Sequence, residues 1–131
     1  MIKLSDLLFG VSIKSVVGDI TSVMVNKVEF DSRKMSDSDL FIAIKGVIVD
    51  GHSFIDTSIE KGAKSIVLEE IPEKINENIC YVQVDSASSS MSVVSSNYYD
   101  NPSSKIKLVG VTGTNGKTTI VTLLHQLFSD L

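Results

Sequence analysis

Apolar residues follow strand-like spacing in several short segments of the chain. Residues 23–30 are rich in apolar and β-branched side chains that would divide between the two faces of an extended segment, which predicts a β-strand. Residues 40–44 form a continuous apolar run bounded by polar turns, which predicts a buried strand. Residues 65–68, 80–84 and 105–111 are predicted to form further strands.

Apolar residues at helical spacing occur between the predicted strands. Helices are predicted over residues 54–63 and 117–128, and a single helical turn over residues 5–9. Gly10 and Gly62 fall where a glycine commonly ends a helix. Strands and helices therefore alternate along most of the chain, which indicates the α/β class.

The segment 86–96 contains seven serines and has the composition of a flexible linker. Asp85 or Ser86 can nevertheless cap a helix, and Asn101-Pro102 can end it. Four apolar residues share one face of that helix at positions i, i+4, i+7 and i+11: Ala87, Met91, Val94 and Tyr98. We therefore predict a helix with a serine-rich exposed side, and a flexible linker is the alternative.

Composition narrows the class of protein. A length of 131 residues fits one domain, or one domain and part of a second. The net charge of −4 argues against a nucleic-acid-binding protein, which usually has a basic face. No apolar stretch reaches the ~20 residues of a membrane helix, and the N-terminus lacks a signal-peptide pattern, so we expect no membrane partner and a cytoplasmic location. Cys80, the single cysteine, is predicted to be buried.

Residues 110–119 form a candidate phosphate-binding loop with the sequence Gly-Val-Thr-Gly-Thr-Asn-Gly-Lys-Thr-Thr. It lies between a predicted strand and a predicted helix, as a phosphate-binding loop requires. Glycines allow backbone N–H groups to converge on a phosphate, and the start of the helix adds a positive dipole end. Lys117 would stabilise the terminal phosphates, and the Thr118 hydroxyl would bind Mg²⁺. The predicted ATP-binding residues are Gly113, Thr114, Asn115, Gly116, Lys117, Thr118 and Thr119.

The loop departs from the common pattern GxxxxGK[ST] at its first glycine. Val111 occupies that position, and glycines stand instead at 110 and 113. A plain strand–helix turn is the alternative interpretation. The surrounding strand and helix favour phosphate binding.

The loop and three upstream segments together resemble the Mur ligase family. The loop matches in its form TGTNGKTT. The upstream matches are Phe30-Asp31-Ser32-Arg33 with Asp39-Leu40-Phe41-Ile42-Ala43-Ile44-Lys45-Gly46, then Asp50-Gly51-His52-Ser53-Phe54-Ile55 with Gly62-Ala63-Lys64, and Tyr99-Asp100-Asn101-Pro102. Their order and spacing are most similar to the branch of the family that synthesises UDP-N-acetylmuramoyl-tripeptide.

The resemblance implies a division into two domains. Residues 1–104 would form the N-terminal UDP-substrate-binding domain, with a mixed sheet and flanking helices. Residues 105–131 would begin the ATP-binding central domain with its phosphate-loop strand and helix. A complete ligase needs further elements, so we expect the sequence to be a truncated piece that is inactive by itself.

The same resemblance implies an ATP- and Mg²⁺-dependent amide ligase of peptidoglycan precursor synthesis. The enzyme would activate UDP-N-acetylmuramoyl-L-alanyl-D-glutamate as an acyl phosphate and add a diamino acid, meso-diaminopimelate or L-lysine. Lys117 and Thr118 would be the catalytic residues. Phe30, Ser32, Val47, Ile48 and Val49 would bind the UDP substrate. Many relatives have a more polar loop at 47–49, so contacts there would come from its backbone.

Several charged residues have ordinary structural interpretations. Asp31 and Arg33 could form a simple turn ion pair, and His52 is expected to be a surface histidine. The neighbouring acidic pairs Asp37/Asp39 and Glu69/Glu70 are expected to be solvated. No spacing of His or Cys indicates a protein-bound metal site.

Three other functions remain open on sequence grounds. The first is the branch of the family that adds D-alanyl-D-alanine, and Thr114 disfavours it because that branch more often has serine there. The second is a UDP-sugar-binding or regulatory module with a vestigial ATP loop. The third is an unrelated phosphate-loop kinase, which the upstream segments disfavour.

Overall fold

The computed structural model describes residues 1–100. The predicted strand 105–111, the phosphate loop and the helix 117–128 lie outside the described residues. Two 3₁₀ turns, Ser32–Lys34 and Gly51–Phe54, accompany the regular elements. Those elements are β1 (Ile2–Lys3), α1 (Leu4–Leu7), β2 (Ile13–Val17), β3 (Met24–Val25), β4 (Val28–Glu29), β5 (Leu40–Ile42), α2 (Ile55–Glu60), β6 (Ser65–Leu68), β7 (Cys80–Val84) and α3 (Ala87–Tyr98).

A mixed five-stranded sheet in the order β2-β7-β6-β5-β4 forms the centre of the fold, and β1 pairs with β3 in a separate antiparallel ribbon. Strands β4 to β7 are parallel, and β2 is antiparallel to β7 at one edge. Every residue of β5 and β6 is buried. Parallel strands covered on both faces need such continuous apolar runs, and the α/β prediction is confirmed.

The two faces of the sheet build two separate apolar clusters, because successive side chains of a strand point to opposite sides. One face packs against α1 and α3 and contains Leu40, Ile42, Val67 and Val82. The opposite face packs against α2; its cluster includes Phe41, Ile66, Leu68 and Tyr81. The sheet is therefore the middle layer between helices.

Helix α3 confirms the periodicity prediction for the serine-rich segment. The Ser86 side chain caps it by accepting a hydrogen bond from the Ser89 N–H at 3.2 Å. Ala87 and Val94 are buried, as predicted, but Ser90 is buried with them, so the serines are not all on the exposed side. The Ser90 hydroxyl donates to the Ser86 carbonyl at 2.8 Å, which allows the small side chain to lie against the sheet.

The prediction of one strand over residues 23–30 is wrong. The segment forms two short strands in different sheets, since β3 pairs with β1 and β4 pairs with β5. Between them, the Asn26 N–H donates to the Ser38 carbonyl at 2.8 Å and the Lys27 carbonyl accepts from the Leu40 N–H at 2.9 Å. The segment is divided because its two halves pair with strands that are distant in sequence. The spacing of apolar residues within the segment does not indicate these partners.

Strand β2 is absent from the sequence prediction. Its residues are exposed or only partly buried, as expected for an edge strand, so its apolar pattern is weak. The chain then reverses at Gly18, which has a φ of +112°. A Cβ there would lie 3.2 Å from the Cys80 Cα. Glycine suits the position because it tolerates the positive φ and leaves room for the Cys80 backbone. Cys80 itself is buried, as predicted, and burial raises the pKa of its thiol.

No helix among residues 1–100 has the length and apolar character needed to cross a membrane.

Two valines provide a direct test of the central sheet. Val67 is fully buried in β6, and Val47 is fully exposed. We expect Val67→Ala to lower the free energy of unfolding by about 1.5–3 kcal/mol, because it removes buried apolar surface and leaves a cavity. Val47→Ala should change it by less than about 0.5 kcal/mol. Urea denaturation of both variants measures the difference, and equal effects would contradict the assigned core.

Candidate functional site

Four chain segments meet at one edge of the sheet because the strands that precede them are parallel. Residues 30–34 follow β4, residues 43–50 follow β5, Glu69 and Glu70 follow β6, and Asp85 and Ser86 follow β7. Ligands of open α/β sheets bind outside the carboxyl ends of the strands. We call this region the carboxyl edge.

The segment after β4 contains two predicted substrate residues, Phe30 and Ser32. Phe30 is 58% exposed and lines a cavity of about 270 Å³ together with Met91, Tyr98 and Tyr99. Ser32 begins the 3₁₀ turn and is only 7% exposed, so a ligand has access to a small part of it. Neither Ser32 nor the 47–49 loop lines that cavity.

Hydrogen bonds between Asp31 and Arg33 hold the turn that carries Ser32, and we call them the Asp31–Arg33 fork. The Asp31 carboxylate accepts from the Arg33 backbone N–H at 3.0 Å, from its Nε at 2.9 Å and from its Nη2 at 2.8 Å. These hydrogen bonds from the Arg33 side chain and backbone, with the nearby charges of Arg33 and Lys34, lower the pKa of Asp31 to about 2. The predicted turn ion pair is confirmed.

The segment after β5 is a tight turn with an apolar tip. The Gly46 N–H donates to the Val49 carbonyl at 2.9 Å, and Lys45 pairs with Asp50 in an isolated antiparallel bridge. Three predicted substrate residues form the exposed tip: Val47, Ile48 and Val49. We call residues 45–50 the tip turn.

Two glycines permit the close backbone approach at the base of the tip turn. A Cβ on Gly46 would lie 2.7 Å from the Val49 carbonyl oxygen. On Gly51 it would lie 2.7 Å from both the backbone nitrogen and the carbonyl oxygen of Ile44. Since real Cβ atoms do not approach backbone this closely, side chains at these positions would displace the turn.

The two residues of the acidic pair after β6 differ: the Glu70 side chain is 75% exposed, as expected, whereas that of Glu69 is only 22% exposed. Lys45 Nζ lies 2.8 Å from Glu70 Oε1 and 4.0 Å from Glu69 Oε2. Hydrogen bonding between Lys45 and Glu70 raises the lysine pKa and lowers that of the glutamate. Glu69 Oε1 accepts from the Ala87 N–H at 3.0 Å, which places a carboxylate at the positive end of α3.

His52 is more buried than the expected surface histidine, with 14% of its side chain exposed. Its Nδ1 lies 2.7 Å from Asp50 Oδ1. Its Nε2 accepts from the backbone N–H of Glu69 at 3.0 Å and lies 3.4 Å from that of Glu70. The imidazole therefore joins the tip turn to the segment after β6.

Asp39 is also not solvated, in contrast to the sequence expectation. It is fully buried before β5, and its Oδ2 accepts from the backbone N–H of Ser36 at 2.7 Å and from the Ser36 hydroxyl at 2.8 Å. Lys27 Nζ lies 3.7 Å from the same oxygen. Asp39 lies at the opposite, amino end of the strands, so its position indicates a structural role in the turn that leads into the sheet.

The part of the chain that the structure describes contains no group of three or more His, Cys, Asp or Glu side chains that could hold a metal ion. The predicted ATP and Mg²⁺ residues lie outside it: Gly113, Thr114, Asn115, Gly116, Lys117, Thr118 and Thr119.

The parallel sheet and its polar carboxyl edge define the chain as an α/β domain of the kind that binds ligands at strand ends. A model of the Mur ligase family, catalytic domain, matches residues 24–113, which is more than half of the chain. The chain belongs to the Mur ligase family.

Curated relatives are ligases named for diaminopimelate. The chain is 51% identical over 130 residues to the UDP-N-acetylmuramoyl-L-alanyl-D-glutamate--2,6-diaminopimelate ligase of Cytophaga hutchinsonii, covering 98% of this chain and 26% of the relative. It is 41% identical over 125 residues to diaminopimelate ligase 1 of Clostridium acetobutylicum, covering 95% and 26%. The chain thus spans about a quarter of the length of these relatives.

Solved structures of a sister ligase share the fold. The D-alanyl-D-alanyl ligase of Acinetobacter baumannii aligns with a TM-score of 0.73 at 20% identity, covering 99% of this chain and 28% of that one. The MurF ligase of Thermotoga maritima, solved in complex with ADP, aligns with a TM-score of 0.54 at 27% identity, covering 75% and 22%.

The Asp31–Arg33 fork predicts a measurable pH effect. Because the pKa of Asp31 is about 2 in the folded chain, below its ordinary 3.8, the fork stabilises the fold above pH 3.8 and this contribution is lost as pH falls through about 2. Arg33→Gln should return the pKa towards 3.8. NMR titration of the Asp31 carboxyl carbon measures both values, and an unchanged pKa in the variant would contradict the fork.

Proposed function

We propose that the chain is part of an ATP-dependent ligase that adds 2,6-diaminopimelate to UDP-N-acetylmuramoyl-L-alanyl-D-glutamate. The main support is the 51% identity to a ligase of that name, which extends over 98% of the chain. Other relatives with the same name are 38–42% identical over nearly the same span. The sequence left diaminopimelate and lysine open, and these names favour diaminopimelate.

In this proposal the carboxyl edge binds the UDP part of the substrate. Phe30 offers an exposed apolar surface to the uridine, and the Ser32 hydroxyl can donate to a uracil or phosphate oxygen. The tip turn carries apolar side chains at Val47, Ile48 and Val49. Its polar contacts with the substrate would therefore come from backbone N–H and C=O groups, while the side chains would cover apolar parts of the ligand.

ATP and Mg²⁺ would bind at the loop 113–119. Lys117 supplies a positive charge for the terminal phosphates, and the Thr118 hydroxyl would be a Mg²⁺ ligand. Backbone N–H groups from Gly113 to Thr119 would hold the phosphates. The ADP in the Thermotoga maritima ligase supports nucleotide binding by the family.

The reaction needs ATP because a carboxylate is a poor electrophile. Transfer of the γ-phosphoryl group to the D-glutamate side-chain carboxylate would give an acyl phosphate and ADP. The diaminopimelate amine would then attack the acyl carbon, forming the amide and releasing phosphate. Lys117 would stabilise the negative charge that builds on the transferred group.

The chain would contain parts of two domains of a cytoplasmic enzyme. Residues 1–104 would be the UDP-substrate domain, and residues 105–131 the start of the ATP-binding domain. UDP-linked precursors and ATP are cytoplasmic metabolites, so the enzyme would work in the cytoplasm. Its partners would be these small molecules, without a nucleic acid or membrane partner, which agrees with the net charge of −4.

A D-alanyl-D-alanine-adding ligase is the second candidate, since solved structures of that enzyme share the fold. Their identities of 16–27% lie well below the 38–51% of the diaminopimelate ligases. A binding module without catalysis would bind the UDP substrate but would not use ATP. ATP consumption that depends on Lys117 would distinguish either ligase from such a binding module.

Ser32→Ala tests the UDP-substrate site. We expect it to weaken binding of UDP-N-acetylmuramoyl-L-alanyl-D-glutamate about 10–100-fold, because a hydrogen bond to a charged phosphate contributes about 1.5–3 kcal/mol. Isothermal titration calorimetry measures the affinity. Ser92→Ala, which removes an exposed hydroxyl from α3, is the matched control. Equal affinities for the wild type, Ser32→Ala and Ser92→Ala would remove Ser32 from the site.

Lys117→Ala tests the ATP site. In the complete ligase we expect ATP consumption to fall at least about 100-fold, because the variant lacks the charge that stabilises the transferred phosphoryl group. Affinity for the UDP substrate should stay within about twofold. ADP release in a coupled assay measures the loss, and normal ATP consumption by the variant would contradict the ligase proposal.

A further inference from the structure

His52 is the bridge between two segments of the carboxyl edge that are separate in sequence. Its ring contacts Asp50 at the end of the tip turn on one side and the backbone of Glu69 and Glu70 on the other. These contacts connect the end of β5 to the end of β6 outside the sheet hydrogen bonds. Only 14% of the His52 side chain is exposed, whereas its partner Asp50 is 45% exposed.

The contacts define which ring nitrogen carries the proton. Nε2 faces the Glu69 N–H at 3.0 Å and must therefore be an unprotonated acceptor. Nδ1 faces the Asp50 carboxylate at 2.7 Å and must be the donor. A neutral imidazole with its proton on Nδ1 satisfies both partners. A cationic imidazole would place an N–H on Nε2 directly against the N–H of Glu69.

An ion pair also connects the tip turn to the segment after β6, so the two segments have a defined relative position. Lys45, at the start of the tip turn, lies 2.8 Å from the Glu70 carboxylate. Glu69 in turn accepts from the first N–H of α3 through its side chain, and its carbonyl accepts from Gln83 at 3.0 Å. Displacement of the tip turn would therefore disturb the ends of three strands and the start of a helix.

We propose that His52 is a positioning residue that holds the tip turn against the end of β6 through its Nε2 acceptor. The tip turn then presents residues 47–49 in one orientation. The effect on substrate binding rests on the proposed function, because it requires that these residues contact the UDP substrate. The bridge itself does not depend on that function.

Charged groups surround this bridge. Those that face His52 from the neighbouring segments are Asp50, Lys45, Glu69 and Glu70. Hydrogen bonds from His52, the backbone one first, lower the pKa of Asp50, so this carboxylate is a charged partner for Nδ1.

Two variants separate the acceptor from the rest of the ring. His52→Gln places an amide oxygen near the position of Nε2 and keeps an acceptor there. His52→Asn reaches only to the position of Nδ1 and loses the acceptor. Amide hydrogen exchange at Glu69 reports on the bridge directly. We expect exchange in His52→Asn to be about 5–100-fold faster than in the wild type, and that in His52→Gln to lie within about threefold of it.

The comparison of the two variants distinguishes positioning from simple packing. Unchanged Glu69 exchange in His52→Asn would overturn the proposal. Equally fast exchange in His52→Asn and His52→Gln would also overturn it, because the ring would then act by packing and not through its acceptor.

Calorimetry with UDP-N-acetylmuramoyl-L-alanyl-D-glutamate tests the consequence for the ligand. His52→Asn should weaken binding about 5–100-fold, and His52→Gln should restore most of it. Equal weakening in both variants would overturn the positioning role. If the wild type does not bind the ligand, the proposal that the carboxyl edge binds the UDP substrate is wrong. The exchange measurements alone then decide whether the His52 bridge exists.

Discussion

Parallel pairing of β4, β5, β6 and β7 is the constraint on which the rest of the structure depends. The register aligns Leu40 with Ser65 and Ser65 with Cys80, so the strands begin at one level and end at the opposite edge. Every segment that leaves a strand end is thereby brought to the carboxyl edge. Residues 30–34, the tip turn and Glu69–Glu70 meet there because the backbone hydrogen bonds of the sheet place them there.

Burial of the sheet on both faces makes this arrangement rigid. Phe41 and Tyr81 pack on the side of α2, while Leu40 and Val82 pack on the side of α1 and α3. A shift of one residue in any central strand would move each side chain to the wrong cluster. The ends of the strands therefore provide a fixed platform for the short segments that follow them.

Polar contacts at the carboxyl edge organise these segments locally. The Asp31–Arg33 fork holds the turn with Ser32, the glycines at 46 and 51 allow the tip turn to close, and His52 contacts the next segment. The exposed ion pair between Lys45 and Glu70 contributes little stability by itself. Together with the histidine contact it restricts the tip turn, whose apolar side chains have little packing of their own.

The sequence alone determined the features that depend on local spacing. It predicted the strands β5, β6 and β7, the helix α3, the turn ion pair at Asp31 and the family resemblance, because these follow from short patterns of residues. Tertiary structure decided the rest. Residues 23–30 divide between two sheets, β2 joins the edge, and His52 contacts the segment that follows β6, because each depends on partners far away in the chain. Hydrogen bonds and burial between distant segments leave no periodic trace in the sequence around any one of them.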